Sequence, residues 1–168
     1  LVALWGFHDD TFRPRLPDAA ALQALQSAHP SIADVVVDGR RISSRNRQVA
    51  LDFGGYLKGV ALDRAAEELR RQGVKNALIN IGGNIMALGS KGGTPWHVGI
   101  QSPRSSAPLA SLDLHDGEAI GTSGDYQRFF ELEGQRYCHL IDPRSGRPST
   151  ASEAVTVLIS PGPKAGMR

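Results

Sequence analysis

The chain has 168 residues, of which 40% are hydrophobic and 21% charged, and its net charge is +2. That is enough chain for one globular domain with its own core, and too little positive charge to point to nucleic acid. No apolar run approaches the ~18 residues of a membrane-spanning helix, and the single cysteine, Cys138, excludes an intrachain disulfide and a paired-cysteine metal site.

The first predicted element is a helix in "LPDAAALQALQSAHP". Ala21, Leu22 and Leu25 share one face, Asp18 can cap the start and Pro30 ends it. "DVVVDGRRIS" reads as a hairpin around Asp38-Gly39. The basic run that follows, with Arg40, Arg41, Arg45 and Arg47, is either a solvated edge or a phosphate or partner patch. "QVALDF" reads as a third strand. "KGVALDRAAEELRRQG" is the clearest helix, with Leu62, Ala65, Ala66 and Leu69 on one side. Glu67 and Arg71 are spaced to pair, and Gly73 sits where a C-terminal cap belongs. "NALINI" reads as a buried strand. Then come "WHVGI", "LASLDL", "AIGTS", "QRFFEL", "QRYCHLI" and "AVTVLIS", short strand-like runs with turns at Asp116-Gly117 and Glu133-Gly134. The expected class is α+β, one or two helices against largely antiparallel sheet. The expected organisation is a single domain over residues 1–168. The chain starts at Leu1 without a methionine or a visible signal peptide, and closes on "SPGPKAGMR" without a terminal element. It is expected to be a segment of a longer polypeptide.

Four stretches can carry chemistry. In "LDFGGYLKGVALD" a strand is expected to end at Asp52, with Gly54-Gly55 turning the chain into a helix that starts near Lys58-Gly59. Glycines allow close backbone approach to a ligand, and a helix start aims N–H groups at an anion. Lys58 adds a point charge there. An ordinary strand-to-helix turn with a solvated lysine is the alternative. In "INIGGNIMALG", Gly82-Gly83 either approaches a ligand or kinks a strand. The spacing is neither that of a dinucleotide-binding fingerprint nor that of a P-loop. In "GTSGDYQRFF", Thr122, Ser123 and Gly124 are expected in a tight turn that offers donors to an anion, unless Asp125 merely caps it. In "YCHLIDPRSG", His139 is expected inside a strand, sharing a face with Ile141, before an Asp142-Pro143 turn. It is either a hydrogen-bonded core histidine or a general acid–base. No GxSxG is present, and His8, His29, His97, His115 and His139 lack zinc-site spacing.

Taken in order, "LDFGGYLKGVALDRA", "ALINIGGNI", "PWHVGIQSPR", "AIGTSGDYQRFFELEGQRYCHLIDPRSGRP" and "VTVLIS" resemble the FAD:protein FMN transferases, the ApbE family. The resemblance runs from "LWGF" to "VTVLIS" and implies an ApbE-like, T-fold-like core. It implies Mg2+-dependent transfer of FMN from FAD onto a Thr or Ser hydroxyl of an acceptor protein, with AMP leaving. FAD hydrolysis to FMN and AMP, or a non-catalytic flavin-binding module, are the alternatives. By position, His139 matches the family's general base. Asp52, Lys58 and Ile141 match FAD contacts, and Gly55 falls where the family supplies a magnesium ligand, here through a carbonyl oxygen. Gly82, Gly83, Thr122 and Ser123 fall in motifs that line the cleft. The family's acceptors are subunits of membrane electron-transfer complexes, and its enzymes work outside the bacterial cytoplasm. FAD-binding segments before "LWGF" and an Asp/Thr magnesium motif after the last strand belong to the family and are not within these residues. The chain alone is therefore expected to bind FAD and Mg2+ poorly.

Overall fold

A computed structural model describes residues 1–9, 11 and 13–161. In chain order the elements are α1 (Ala19–Ser27), β1 (Val35–Asp38), β2 (Arg41–Ser44), α2 (Gly54–Arg71), β3 (Ala77–Ile81), β4 (Asn84–Leu88), β5 (Trp96–Gln101) and β6 (Pro108–Leu114). There follow β7 (Ala119–Gly124), β8 (Phe129–Leu132), β9 (Gln135–Cys138), β10 (Ile141–Asp142), β11 (Arg147–Pro148) and β12 (Ala154–Ile159). The class is α+β with antiparallel pairing, as the sequence pattern implies. Among the described residues no helix is long and apolar enough to cross a membrane. The chain divides into two compact units. One contains Leu1–Leu51 and Asp125–Glu153, the other Asp52–Gly124 and the chain from Ala154 onward.

In the second unit a four-stranded sheet runs in the order β12-β7-β4-β3. Strand side chains alternate between faces, and both faces of this sheet are used. On one, Leu62 and Ala66 of α2 pack against Met86, Leu88 and Ala119. On the other, Ala87 and Ile120 pack with Val98 and Leu114 of the β5–β6 hairpin. Burying a leucine as fully as Leu62, which is 1% exposed, stabilises by roughly 1.5–3 kcal/mol. The apolar stripe predicted for α2 is the one that packs. The helix, however, starts at Gly54, four positions before the expected start, and ends at Arg71; just beyond it Gly73, at φ +80, donates its N–H to the Arg70 carbonyl. Its ion pairs within the helix are Arg64–Glu67 and Arg71–Glu68, where Glu67–Arg71 was expected. The expected strand "QVALDF" does not form: residues 48–53 are irregular, with Leu51 and Phe53 about half exposed. An apolar alternation without a pairing partner leaves its backbone to water. β3 is a sheet edge with Leu78 and Asn80 exposed, so "NALINI" alternates where a buried run was expected.

The first unit is built from hairpins around an aromatic cluster. Phe7 and Tyr137 each stack on Phe130, and Trp5 stacks on Tyr137, with centroids 5.2–5.6 Å apart. β8 and β9 join through Glu133-Gly134, both at positive φ, at the expected two-residue turn. The β1–β2 hairpin forms one residue later than predicted, with Gly39-Arg40 as its loop and Gly39 at φ +56. Arg40, Arg41, Arg45 and Arg47 are all exposed. α1 has its predicted cap, the Asp18 carboxylate accepting from the Ala21 N–H at 2.8 Å. Only Leu22 of its predicted face is buried.

Candidate functional site

The start of α2 carries the first group of candidate residues. Asp52 ends no strand. It stands just before the helix, where its Oδ1 accepts from the Gly54 N–H at 2.8 Å. This satisfies one of the N–H groups that every helix start leaves without an intrahelical partner. Gly54 and Gly55 are helical, not a turn before the helix. One turn on, Lys58 extends to the β3–β4 hairpin, and its Nζ donates to the Gly82 carbonyl at 3.1 Å. Gly82 and Gly83 form the two-residue loop of that hairpin at φ +57 and +88. Two successive left-handed residues are what this turn type demands. Space matters too, because a Cβ on Gly82 would lie 3.1 Å from Lys58 Cε and 3.2 Å from its Nζ. The kinked-strand reading thus gives way to a hairpin loop that seats a lysine.

Beside that loop, Asn84 lies against Gly121, where a Cβ would stand 3.6 Å from the amide. Thr122, Ser123 and Gly124 are not the expected tight turn. They lie in β7, paired along their length with β12, so their backbone is engaged in the sheet. Alternation sends the Thr122 and Ser123 side chains to opposite faces. The Thr122 hydroxyl shares a 2.8 Å hydrogen bond with Thr156, and Ser123 is exposed. Gly121 was not singled out in the sequence.

The second group surrounds His139. This residue is not inside a strand. β9 ends at Cys138, and His139 lies in the bend before β10. Its backbone N–H donates to the Arg128 carbonyl at 3.0 Å, one rung beyond the Phe129–Cys138 pair. The ring returns to the same carbonyl, Nδ1 to oxygen, at 3.2 Å. A carbonyl only accepts, so Nδ1 carries the proton and the lone pair of the neutral ring is on Nε2. His139 lines an open cleft of about 410 Å³ with Ile141, Asp142, Arg144 and Ser149. His139 and Ile141 are therefore brought together as expected, although not by strand alternation.

The Asp142 turn is structural. Gly146, at φ +63, donates its N–H to the Asp142 carbonyl at 2.8 Å. The Arg144 guanidinium donates to both Asp142 carboxylate oxygens at 3.0 and 3.2 Å. These bonds, with one from the Arg144 backbone N–H, hold the carboxyl below its ordinary pKa. The turn is anchored from outside: Trp5 Nε1 donates to the Gly146 carbonyl at 2.8 Å and Gln26 to that of Ser145 at 2.8 Å. Cys138, next to His139 in the chain, is buried, and burial pushes its thiol pKa up. A low-pKa nucleophile has the opposite character.

Magnesium takes about six oxygen ligands in near-octahedral array. Among the described residues no group of three or more His, Cys, Asp or Glu stands together to hold a metal. Gly55 brings only a main-chain carbonyl. The described residues do not by themselves fit a complete Mg2+ site.

The pattern defining the ApbE family matches residues 1–167. An FAD:protein FMN transferase of Klebsiella pneumoniae is 39% identical over 166 residues, covering 94% of this chain and 49% of that protein. One of Rhodobacter capsulatus is 38% identical over 162 residues, covering 96% of this chain and 31% of that protein. Among solved structures, an ApbE protein of Thermotoga maritima aligns with TM-score 0.87 at 30% identity, over 99% of this chain and 54% of that one. The flavinyl transferase ApbE of Pseudomonas stutzeri, in its apo form, aligns with TM-score 0.75 at 34% identity, over 98% and 50%. The chain thus spans between about a third and a half of these relatives. With the family pattern matched over nearly every residue, the chain belongs to the ApbE family.

Proposed function

We propose that this chain is part of a flavin transferase that moves FMN from FAD onto a Thr or Ser hydroxyl of an acceptor protein, in the presence of Mg2+. The observation that carries this reading is the His139 ring. Its Nδ1 proton is engaged by the Arg128 carbonyl, which in the neutral ring leaves the lone pair on Nε2, where a general base needs it. The acceptor hydroxyl oxygen forms a bond to the FMN phosphorus, and the bond from that phosphorus to the bridging oxygen of the diphosphate breaks. AMP leaves with that oxygen, and the hydroxyl proton passes to His139. Diphosphate chemistry of this kind rests on positioning and on neutralised charge.

Asp52, Lys58, Gly82, Gly83, Thr122, Ser123 and Ile141 are proposed as the flavin-nucleotide contacts. Lys58, already seated on Gly82, brings positive charge to the hairpin loop. Mg2+ would neutralise phosphate charge, with the Gly55 carbonyl as this chain's proposed ligand. The proposed acceptor is a subunit of a membrane electron-transfer complex, and the proposed location is outside the cytoplasm. The test is flavin transfer by the parent polypeptide with FAD, Mg2+ and an acceptor protein. Covalent flavin on the acceptor with one AMP per flavin supports the reading. AMP and free FMN formed equally without acceptor would make the protein an FAD hydrolase. Tight FAD binding with no turnover would make it a binding module.

A further inference from the structure

We infer that Arg128 is a positioning residue for His139, acting through its own carbonyl and set in place by its side chain. The inference rests on the reading of His139 as general base. Two bonds converge on the Arg128 carbonyl, from the His139 backbone N–H at 3.0 Å and from Nδ1 at 3.2 Å. One acceptor therefore fixes both the main chain and the ring of the same residue. The Arg128 guanidinium holds that acceptor still. Its Nη2 donates to the Phe7 carbonyl at 2.7 Å and to that of Asp9 at 3.3 Å. Phe7 is itself immobilised, 1% exposed and stacked on Phe130. Phe130 lies in β8, two residues after Arg128. The arginine thus ties the segment entering β8 to the amino-terminal turn, and the imidazole hangs from that segment.

A carbonyl that drifts loses both bonds to His139. A second partner on the far nitrogen is the general means of choosing a histidine's tautomer and orientation. Arg128 does this at long range in sequence: the carbonyls its side chain holds are more than 100 positions away. The role is specific to a guanidinium or another long cation that can donate to main-chain carbonyls.

The test uses the parent polypeptide with isotope-labelled histidine. Proton–nitrogen correlations of the neutral ring, assigned by their loss in His139→Gln, should show Nδ1 protonated. Arg128→Met should shift the ring toward the Nε2-protonated form and lower kcat roughly 10- to 100-fold, with KM for FAD little changed. Arg128→Lys should recover much of both. A wild-type ring protonated on Nε2 would overturn the inference, as would Arg128→Met that keeps the Nδ1 proton yet loses activity. If Arg128→Met does not fold, Arg128→Lys decides. Tautomer and rate both near wild type agree with the inference, whereas a lost rate with an unchanged tautomer overturns it. Full transfer activity in His139→Ala would defeat the base assignment alone, since the tautomer still judges Arg128.

Discussion

The two compact units seat their candidate residues in one manner and secure them in two. In each, a side-chain nitrogen donates to a main-chain carbonyl: Lys58 to Gly82, His139 to Arg128. The lysine's seat is local. It needs a hairpin loop with positive φ and no Cβ, and Gly82-Gly83 supplies both. The histidine's seat is assembled from distant parts, since its acceptor is set by an arginine that reaches Phe7 and Asp9. The loop that receives the lysine is encoded within a few residues, whereas the histidine's acceptor depends on segments far apart in the chain.

The largest expected effect breaks the assembled seat. Trp5→Ala removes an indole that stacks on Tyr137 and donates to Gly146, and should destabilise by about 3–5 kcal/mol in chemical denaturation. Hydrogen exchange should then show lost protection in β8 to β11. Leu62→Ala is the counterpart in the other unit, about 2–5 kcal/mol by the same measurement, with protection lost in α2 and β4. A smaller effect sharpens the contrast. Gly82→Ala forces a left-handed alanine, at about 1–2 kcal/mol, and crowds Lys58. It should weaken FAD binding by the parent polypeptide, seen by titration, while Lys58→Ala weakens binding with stability nearly unchanged.

The smallest effect concerns the Asp142 turn. Its carboxyl is depressed in the folded state by hydrogen bonds from Arg144. A depressed carboxyl contributes stability above its unfolded pKa, near 3.8, and that contribution is lost as pH falls through the folded value. The pair is exposed, so the increment is small. Arg144→Ala should raise the Asp142 carboxyl toward its ordinary value, read by NMR titration, and remove the increment.

The same contrast explains what was legible in the sequence. The α2 stripe, the Asp18 cap, Gly73 after the helix and the Glu133-Gly134 turn follow from spacing within a few residues, and the structure contains them. "QVALDF" has strand periodicity, but periodicity names a face and not a partner, and residues 48–53 find none in the sheets. Thr122-Ser123-Gly124 reads locally both as the end of the "AIGTS" strand run and as a turn, and the strand reading holds, with β12, thirty residues on, paired along it. β9 ends at Cys138, three residues short of the expected "QRYCHLI" run, and the His139 ring turns to the Arg128 carbonyl, a contact between residues 11 apart. The candidate residues could be named from the sequence, but the bonds that orient them could not, because their partners lie 11 to 121 positions away.

The most direct measurement of the central claim is the rate of covalent FMN transfer by the parent polypeptide and by its His139→Ala variant, with FAD binding titrated alongside. A missing general base should lower the rate by roughly 10²- to 10⁴-fold while FAD affinity holds. An unchanged rate at saturating FAD would contradict it.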